Sequence, residues 1–131
     1  MKLEKRNVLL TVLFLLMCNI SVNAEKKHKI RYINNTTANT GILPKSNKKV
    51  VAVFEFCNVT HKKIAITEVR TSCGCTSVHY PKSAITPGSK VKIYVDVRTK
   101  YMHGQFIESA LIKFDDGSSQ ILRVEGMKKY S

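Results

Sequence analysis

The sequence predicts an all-β protein, an immunoglobulin-like antiparallel β-sandwich of about seven strands. Three observations carry that expectation. Apolar and polar residues alternate at period two, most clearly where Val91, Ile93, Val95 and Val97 face one way and Lys92, Tyr94, Asp96 and Arg98 the other. Turn signals such as Pro87-Gly88 and Asp115-Asp116-Gly117-Ser118 separate the alternating runs. No segment carries a helical period, so the one-sided strands must bury their apolar faces in two packed sheets, with a small barrel as the alternative. The chain has no tryptophan, so the buried-tryptophan hallmark of antibody domains is missing.

The chain opens with a charged start at Lys2, Lys5 and Arg6, a short apolar run from Val8 to Met17, and small residues at both ends of Val22-Asn23-Ala24. That order reads as an export signal over residues 1–24, with the mature chain starting at Glu25. The apolar run is about half of the ~20 residues that cross a bilayer, so no permanent membrane span is expected. Cys18 raises lipid modification as an alternative, although Met17 stands where a lipoprotein signal has a small residue. Taking 24 from 131 residues leaves 107, enough for one compact domain with a single core.

Residues 1–24 hold three of the 22 basic residues and one of the nine acids, so the formal charge of +13 becomes 19 minus 8, or +11. Such a charge favours acidic partners. For an exported chain these are anionic lipid headgroups, acidic polysaccharide or acidic proteins, ahead of nucleic acid, because the cations spread from Lys26 to Lys129 and form no single stripe. Lys26-Lys27-His28-Lys29 and Lys48-Lys49 are the local clusters.

In chain order, Lys29 to Ile33 reads as a first edge strand, followed by a long polar connection to Lys48. Val50 to Cys57 is rich in β-branched and aromatic residues, with Ala52, Phe54 and Phe56 as its core face. Asn58 to Lys62 supplies turn chemistry, and Ile64 and Ile66 resume an inward face, so these two runs are expected to pair as neighbouring strands. Pro81-Lys82 and Pro87-Gly88 punctuate a loop, the latter fitting a type II turn, before the strand over Val91–Val97. Phe106, Ala110, Ile112 and Phe114 then share a face that Glu108 interrupts, and a hairpin turn at Asp115–Ser118 leads into Gln120 to Gly126. A strand end or an edge bulge accounts for Glu108 more simply than a perturbed acid does.

Three cysteines remain beyond the signal: Cys57, Cys73 and Cys75. An oxidising compartment with an odd count permits one internal disulfide and leaves one thiol over. If Cys73 to His79 is extended, Cys73, Cys75 and His79 share a face, and an extended i to i+2 span of about 6.6 Å lies near the limit for a bridge, with Gly74 relieving part of the strain. Four readings stay open: a bridge within Cys73-Gly74-Cys75, a bridge from Cys57 to either, a copper or zinc site on Cys73, Cys75 and His79 with Cys57 or His61 as fourth ligand, and thiol exchange favoured by Arg70, His79 and Lys82. Conventional catalysis finds no support. The chain has no Gly-x-Ser-x-Gly and no phosphate-loop motif, and its histidines have no Ser or carboxylate arranged nearby as a triad, so no catalytic residue is named.

Phe54-x-Phe56-x-Asn58, Ile64-x-Ile66-x-x-Val69, Ser72-Cys73-Gly74-Cys75-Thr76, Pro81, Ile85-x-Pro87-Gly88, Ile93-x-Val95, Gly104-x-Phe106 and Leu122-x-Val124-x-Gly126 together resemble the domain of unknown function 1573 family. The most specific part is Ser72 to Thr76 followed by Pro87-Gly88. The resemblance implies an immunoglobulin-like domain over residues 39–127, similar to the domains called ASH, preceded by an edge strand and polar connection (25–38) and followed by a short basic tail (128–131). It also implies export to the periplasm or cell surface of a bacterium, while the family's own activity is unassigned. Thr60 stands where the family places a glycine, so the turn after Asn58 must differ. The expected function is a non-enzymatic envelope module that binds another protein or an anionic surface without a cofactor. The alternative is a copper- or zinc-binding or thiol-redox protein using the Cys73-Gly74-Cys75 motif.

Overall fold

The structure is a computed structural model that describes residues 30–130. The export signal expected over residues 1–24, Cys18 and the Lys26–Lys29 cluster lie outside the described residues. Among the described residues no helix is long and apolar enough to cross a membrane.

Eight strands form two four-stranded sheets, giving the immunoglobulin-like sandwich expected from the alternation. They are β1 (Ile30–Tyr32), β2 (Thr37–Leu43), β3 (Lys49–Asn58), β4 (Ile66–Thr71), β5 (Thr76–His79), β6 (Lys90–Arg98), β7 (Gly104–Phe114) and β8 (Ser119–Lys128). One sheet has the order β1-β3-β6-β5 and the other β2-β8-β7-β4. All pairs are antiparallel except β2 with β8.

The inward faces are those the period-two pattern marks. Ala52, Phe54 and Phe56 of β3 and Ile93, Val95 and Val97 of β6 are buried, as are Phe106, Ala110, Ile112 and Phe114 of β7 with Leu122 and Val124 of β8. Phe56 meets Phe114 edge-on across the two layers, ring centroids 6.1 Å apart. Burial of each large apolar side chain here is worth about 1.5–3 kcal/mol, and the shared core holds the two layers together. Pro87-Gly88 makes its turn with Gly88 at φ 78° and Ser89 N–H donating to the Thr86 carbonyl at 3.1 Å.

Two pairings differ from expectation. β3 and β4 are not neighbours: β3 lies between β1 and β6, and β4 pairs with β7 in the other sheet. Ile64, bridged to Ile85 outside both sheets, and Ile66 at the start of β4 are both buried in the core, and the chain crosses between layers through this segment and the turn before it. Asn58 holds that turn; fully buried, it donates to the Lys62 and Ile85 carbonyls at 2.8 and 2.9 Å and accepts from the Thr60 N–H and hydroxyl. Thr60 does not adopt a positive φ, so this turn asks for no glycine there, and the Thr60 hydroxyl adds a hydrogen bond to Asn58.

The second difference is β2. Residues 37–43, read as polar connection, form the edge strand beside β8, with a register shift between Asn39 and Ile42. Its composition is polar because one face of an edge strand meets water and a bulged edge buries little. β2 therefore crosses residue 39, and β8 runs on to Lys128.

Candidate functional site

The connection from β4 to β5 is Ser72 to Cys75, and it passes from an edge of one sheet to an edge of the other. Cys73-Gly74-Cys75 is a turn, not an extended segment: the Thr76 N–H donates to the Cys73 carbonyl at 3.2 Å, and the two Cα atoms are 5.3 Å apart. That turn brings Cys73 and Cys75 within bonding geometry, and they form a disulfide. Gly74 has an ordinary φ and open space where a Cβ would stand, so the turn makes no steric demand for glycine.

Neighbouring groups hold the turn from three sides. Ser72 exchanges hydrogen bonds with β7, its N–H donating to the Ser109 carbonyl at 2.9 Å and its hydroxyl accepting the Ser109 N–H at 3.0 Å. From β6, the Arg98 N–H donates to the Cys75 carbonyl at 2.9 Å and its guanidinium to the Gly74 carbonyl at 2.7 Å. The Thr76 hydroxyl, itself buried, lies 3.9 Å from the Cys73 sulfur and 3.7 Å from that of Cys75. The Cys75 N–H points at the Cys73 sulfur, 3.1 Å away.

Glu108 completes the cluster. A carboxylate oxygen lies within 4.8 Å of both sulfurs and accepts the Ser72 hydroxyl at 2.5 Å. The residue sits inside β7, where the β7–β8 register runs unbroken from Gly104 to Lys113, so neither a strand end nor a bulge accounts for it. It interrupts the apolar face between the buried Phe106 and Ala110, at the point where β7 passes the motif.

The other sequence candidates lie elsewhere. Cys57 pairs with Lys90 at one end of β6 and Thr76 with Val97 at the other, a separation of about 23 Å along the strand; Cys57 is a free thiol and reaches neither motif cysteine. His61 belongs to the turn at that far end. His79 closes β5 opposite Tyr94 and faces Asp96, with Nε2 3.5 Å from the carboxylate, so it does not join Cys73 and Cys75. Of the cations expected to favour a thiolate, Arg70 pairs with Glu68 and Lys82 lies over the Tyr80 ring. The donors that do surround the motif are two sulfurs and one carboxylate, a set that suits zinc better than copper(I) once the disulfide is reduced.

A groove of about 650 Å³ opens beside Cys75, lined also by Lys48, Arg98, Lys100, Tyr101 and Met102. Three loops build it, and their backbone is clamped. The Thr99 hydroxyl bonds the Asn47 side chain, its N–H donates to the Lys48 carbonyl at 3.0 Å, and its carbonyl accepts the Met102 N–H at 3.0 Å. Beneath it the buried Lys128 ammonium donates to the carbonyls of Thr99 and Lys100 at 2.6 and 3.2 Å. Above it Lys100 Nζ lies 5.2 Å from the Tyr101 ring centroid. The lining therefore holds three cations and no carboxylate. A second hollow of about 430 Å³ on the outer face of the other sheet, around Ile42, Ile107 and Met127, holds Glu125 and no cation.

Sequence reasoning reached the cysteines but not this groove. One signal was available: Leu122, Val124, Gly126 and Lys128 continue one period-two face, which places Lys128 inward.

Three solved structures bring out the fold. A protein of unknown function from Porphyromonas gingivalis W83 matches at a TM-score of 0.64 and 16% identity over 75% of this chain and 46% of its own. The human CEP192 ASH/PapD-like domain 7 matches at 0.62 and 6% identity over 79% of this chain and 87% of its own. The Vibrio cholerae VesB protease matches at 0.57 and 18% identity over 78% of this chain and 32% of its own. The chain thus spans less than half of the Porphyromonas and Vibrio chains, and at these identities the likeness is one of fold. No curated protein sequence matches it. The model of one family, described as a protein of unknown function (DUF1573), matches residues 19–127, and the chain belongs to that family.

Proposed function

We propose that this chain is an exported, non-enzymatic immunoglobulin-like module of the bacterial cell envelope that binds an acidic segment of a partner protein in the groove beside Cys75. The observation that carries the reading is the lining itself: Lys48, Arg98 and Lys100 around a concavity that Tyr101 and Met102 also line, with no opposing carboxylate. Cations brought together by three clamped loops focus their field into the groove, whereas the same charges scattered over the surface would be screened individually. Tyr101, 83% exposed, offers the large apolar contact typical of a binding anchor. A net charge of +11 on the chain from Glu25 onward, 19 basic residues less 8 acids, adds long-range attraction for an acidic partner.

The groove favours a peptide over a flat anionic membrane, because its cations line a recess and do not form a plane. Titration of the full chain with a glutamate-rich peptide, and separately with phosphatidylglycerol vesicles, tests this. The peptide is expected to bind, weaken with salt, and lose at least tenfold in affinity on K48E/K100E but not on K90E/K92E. Vesicle binding that survives K48E/K100E, with no peptide binding, would replace the reading with an anionic-surface module. The export claim is read from the N-terminus of protein recovered from cells, which is expected to be Glu25.

A further inference from the structure

The Cys73–Cys75 disulfide contributes little as a staple. It closes a loop of only three residues, and because the chain entropy that a link removes grows with the length of the loop, this one lies at the low end of what a disulfide contributes. The turn is already held by Ser72, Arg98 and Thr76. Its position is more informative. Cys75 lines the cationic groove, and Cys73 does not.

We infer that Cys75 is a covalent docking point, where a cysteine thiolate in the partner's acidic segment exchanges with the Cys73–Cys75 disulfide. This rests on the groove reading above and specifies its partner further. In the step, the partner thiolate, having lost its proton to water, attacks Cys75 Sγ. A partner–Cys75 S–S bond forms, the Cys73–Cys75 bond breaks, and Cys73 leaves with the electron pair and takes a proton from water. The partner sulfur is oxidised from thiol to mixed disulfide as Cys73 is reduced to thiol, so no outside oxidant enters. Attack of Cys73 on the mixed disulfide reverses the step and releases the partner.

Each neighbour has a part in this step. Lys48, Arg98 and Lys100 concentrate thiolates in the groove, and the sulfur that lines the groove is that of Cys75. The Cys75 N–H, 3.1 Å from the Cys73 sulfur, and the Thr76 hydroxyl are placed to receive the charge on the leaving sulfur. The Glu108 carboxylate, within 4.8 Å, accepts the S–H of Cys73 once it is protonated and holds it beside the bond it re-forms.

The test uses the full chain carrying C18S and C57S, so that the motif holds its only sulfurs able to exchange. It is treated with 2-mercaptoethanesulfonate or with cysteamine, acid-quenched at early times, and the adduct located by mass spectrometry. The expected result is an adduct on Cys75, formed about tenfold faster by the anionic thiol at low salt, with that preference abolished by K48Q/K100Q. An adduct first formed on Cys73, or none with either thiol while a phosphine reduces the bond, overturns the inference. Binding of a cysteine-free glutamate-rich peptide to the C73S/C75S variant is measured in parallel. Peptide binding without a Cys75 adduct sinks the exchange alone; a Cys75 adduct without charge preference or peptide binding sinks the groove reading with it.

Discussion

The Ser72 hydroxyl donates to the Glu108 carboxylate at 2.5 Å while accepting the Ser109 N–H at 3.0 Å, and so joins the cysteine turn to β7. Ser72→Ala removes both bonds and leaves a half-buried carboxylate without its donor. A loss of about 1–2 kcal/mol in urea unfolding is expected, together with faster reduction of the disulfide by dithiothreitol as the turn loosens. Unchanged stability and reduction rate would mean that Arg98 and Thr76 suffice to hold the turn.

Removing the disulfide is expected to be cheap. Cys73→Ser with Cys75→Ser should cost no more than about 1–2 kcal/mol, because the link closes three residues and the two-layer core is elsewhere. A loss of 4 kcal/mol or more by chemical denaturation would return the bridge to a structural role.

Local pattern made the strands legible and left their partners hidden. Val91 to Val97 could be read because both faces of β6 are written in consecutive residues. The same alternation in β3 and β4 looked like a hairpin, yet Asn58 turns the chain into the other layer through a buried bond to Ile85, a residue far along the sequence. β2 was missed because Thr37, Asn39 and Thr40 carry edge-strand chemistry that resembles a loop. At the site, the cysteines announced themselves by spacing alone. Lys48, Arg98 and Lys100 did not, because what unites them is the Thr99 and Lys128 framework beneath three separate loops.

Asn58 should be among the most sensitive positions. Its side chain serves two carbonyls and accepts two donors with no exposure to water. Asn58→Ala is expected to cost about 3 kcal/mol or more. Asn58→Asp, which keeps the acceptor and loses both donors, should recover little of it. Thermal or urea unfolding of both variants decides this, and a loss under 1 kcal/mol for either would show that the turn closes without the network.

Tyr32 is expected to behave in the opposite way. Its ring packs 5.4 Å from that of Phe56, but the described residues give its buried hydroxyl no hydrogen-bond partner, and burial pushes its pKa up. Tyr32→Phe keeps the ring contact and removes the unpaired group, so stability should be unchanged or higher by up to about 1 kcal/mol. A clear loss in the same unfolding assay would show that the hydroxyl has a partner in the native protein.

Glu68 supplies a pH signature on the outer face of β4. Arg70 and Lys113 bond its two carboxylate oxygens at 2.5 and 3.3 Å, and these bonds, Arg70 first, hold its pKa below the ordinary 4.5. A carboxylate whose pKa is lower folded than unfolded binds fewer protons in the native state. Its contribution is therefore complete above the unfolded value and disappears as pH falls through the folded one. Glu68→Gln should lower the urea midpoint slightly at pH 7, and its difference from the parent chain should shrink as pH falls below 4.5. Because the group is exposed, the difference at pH 7 should also shrink in 1 M salt. A difference that stays constant as pH falls or ignores salt would assign the effect of the substitution to packing and not to charge.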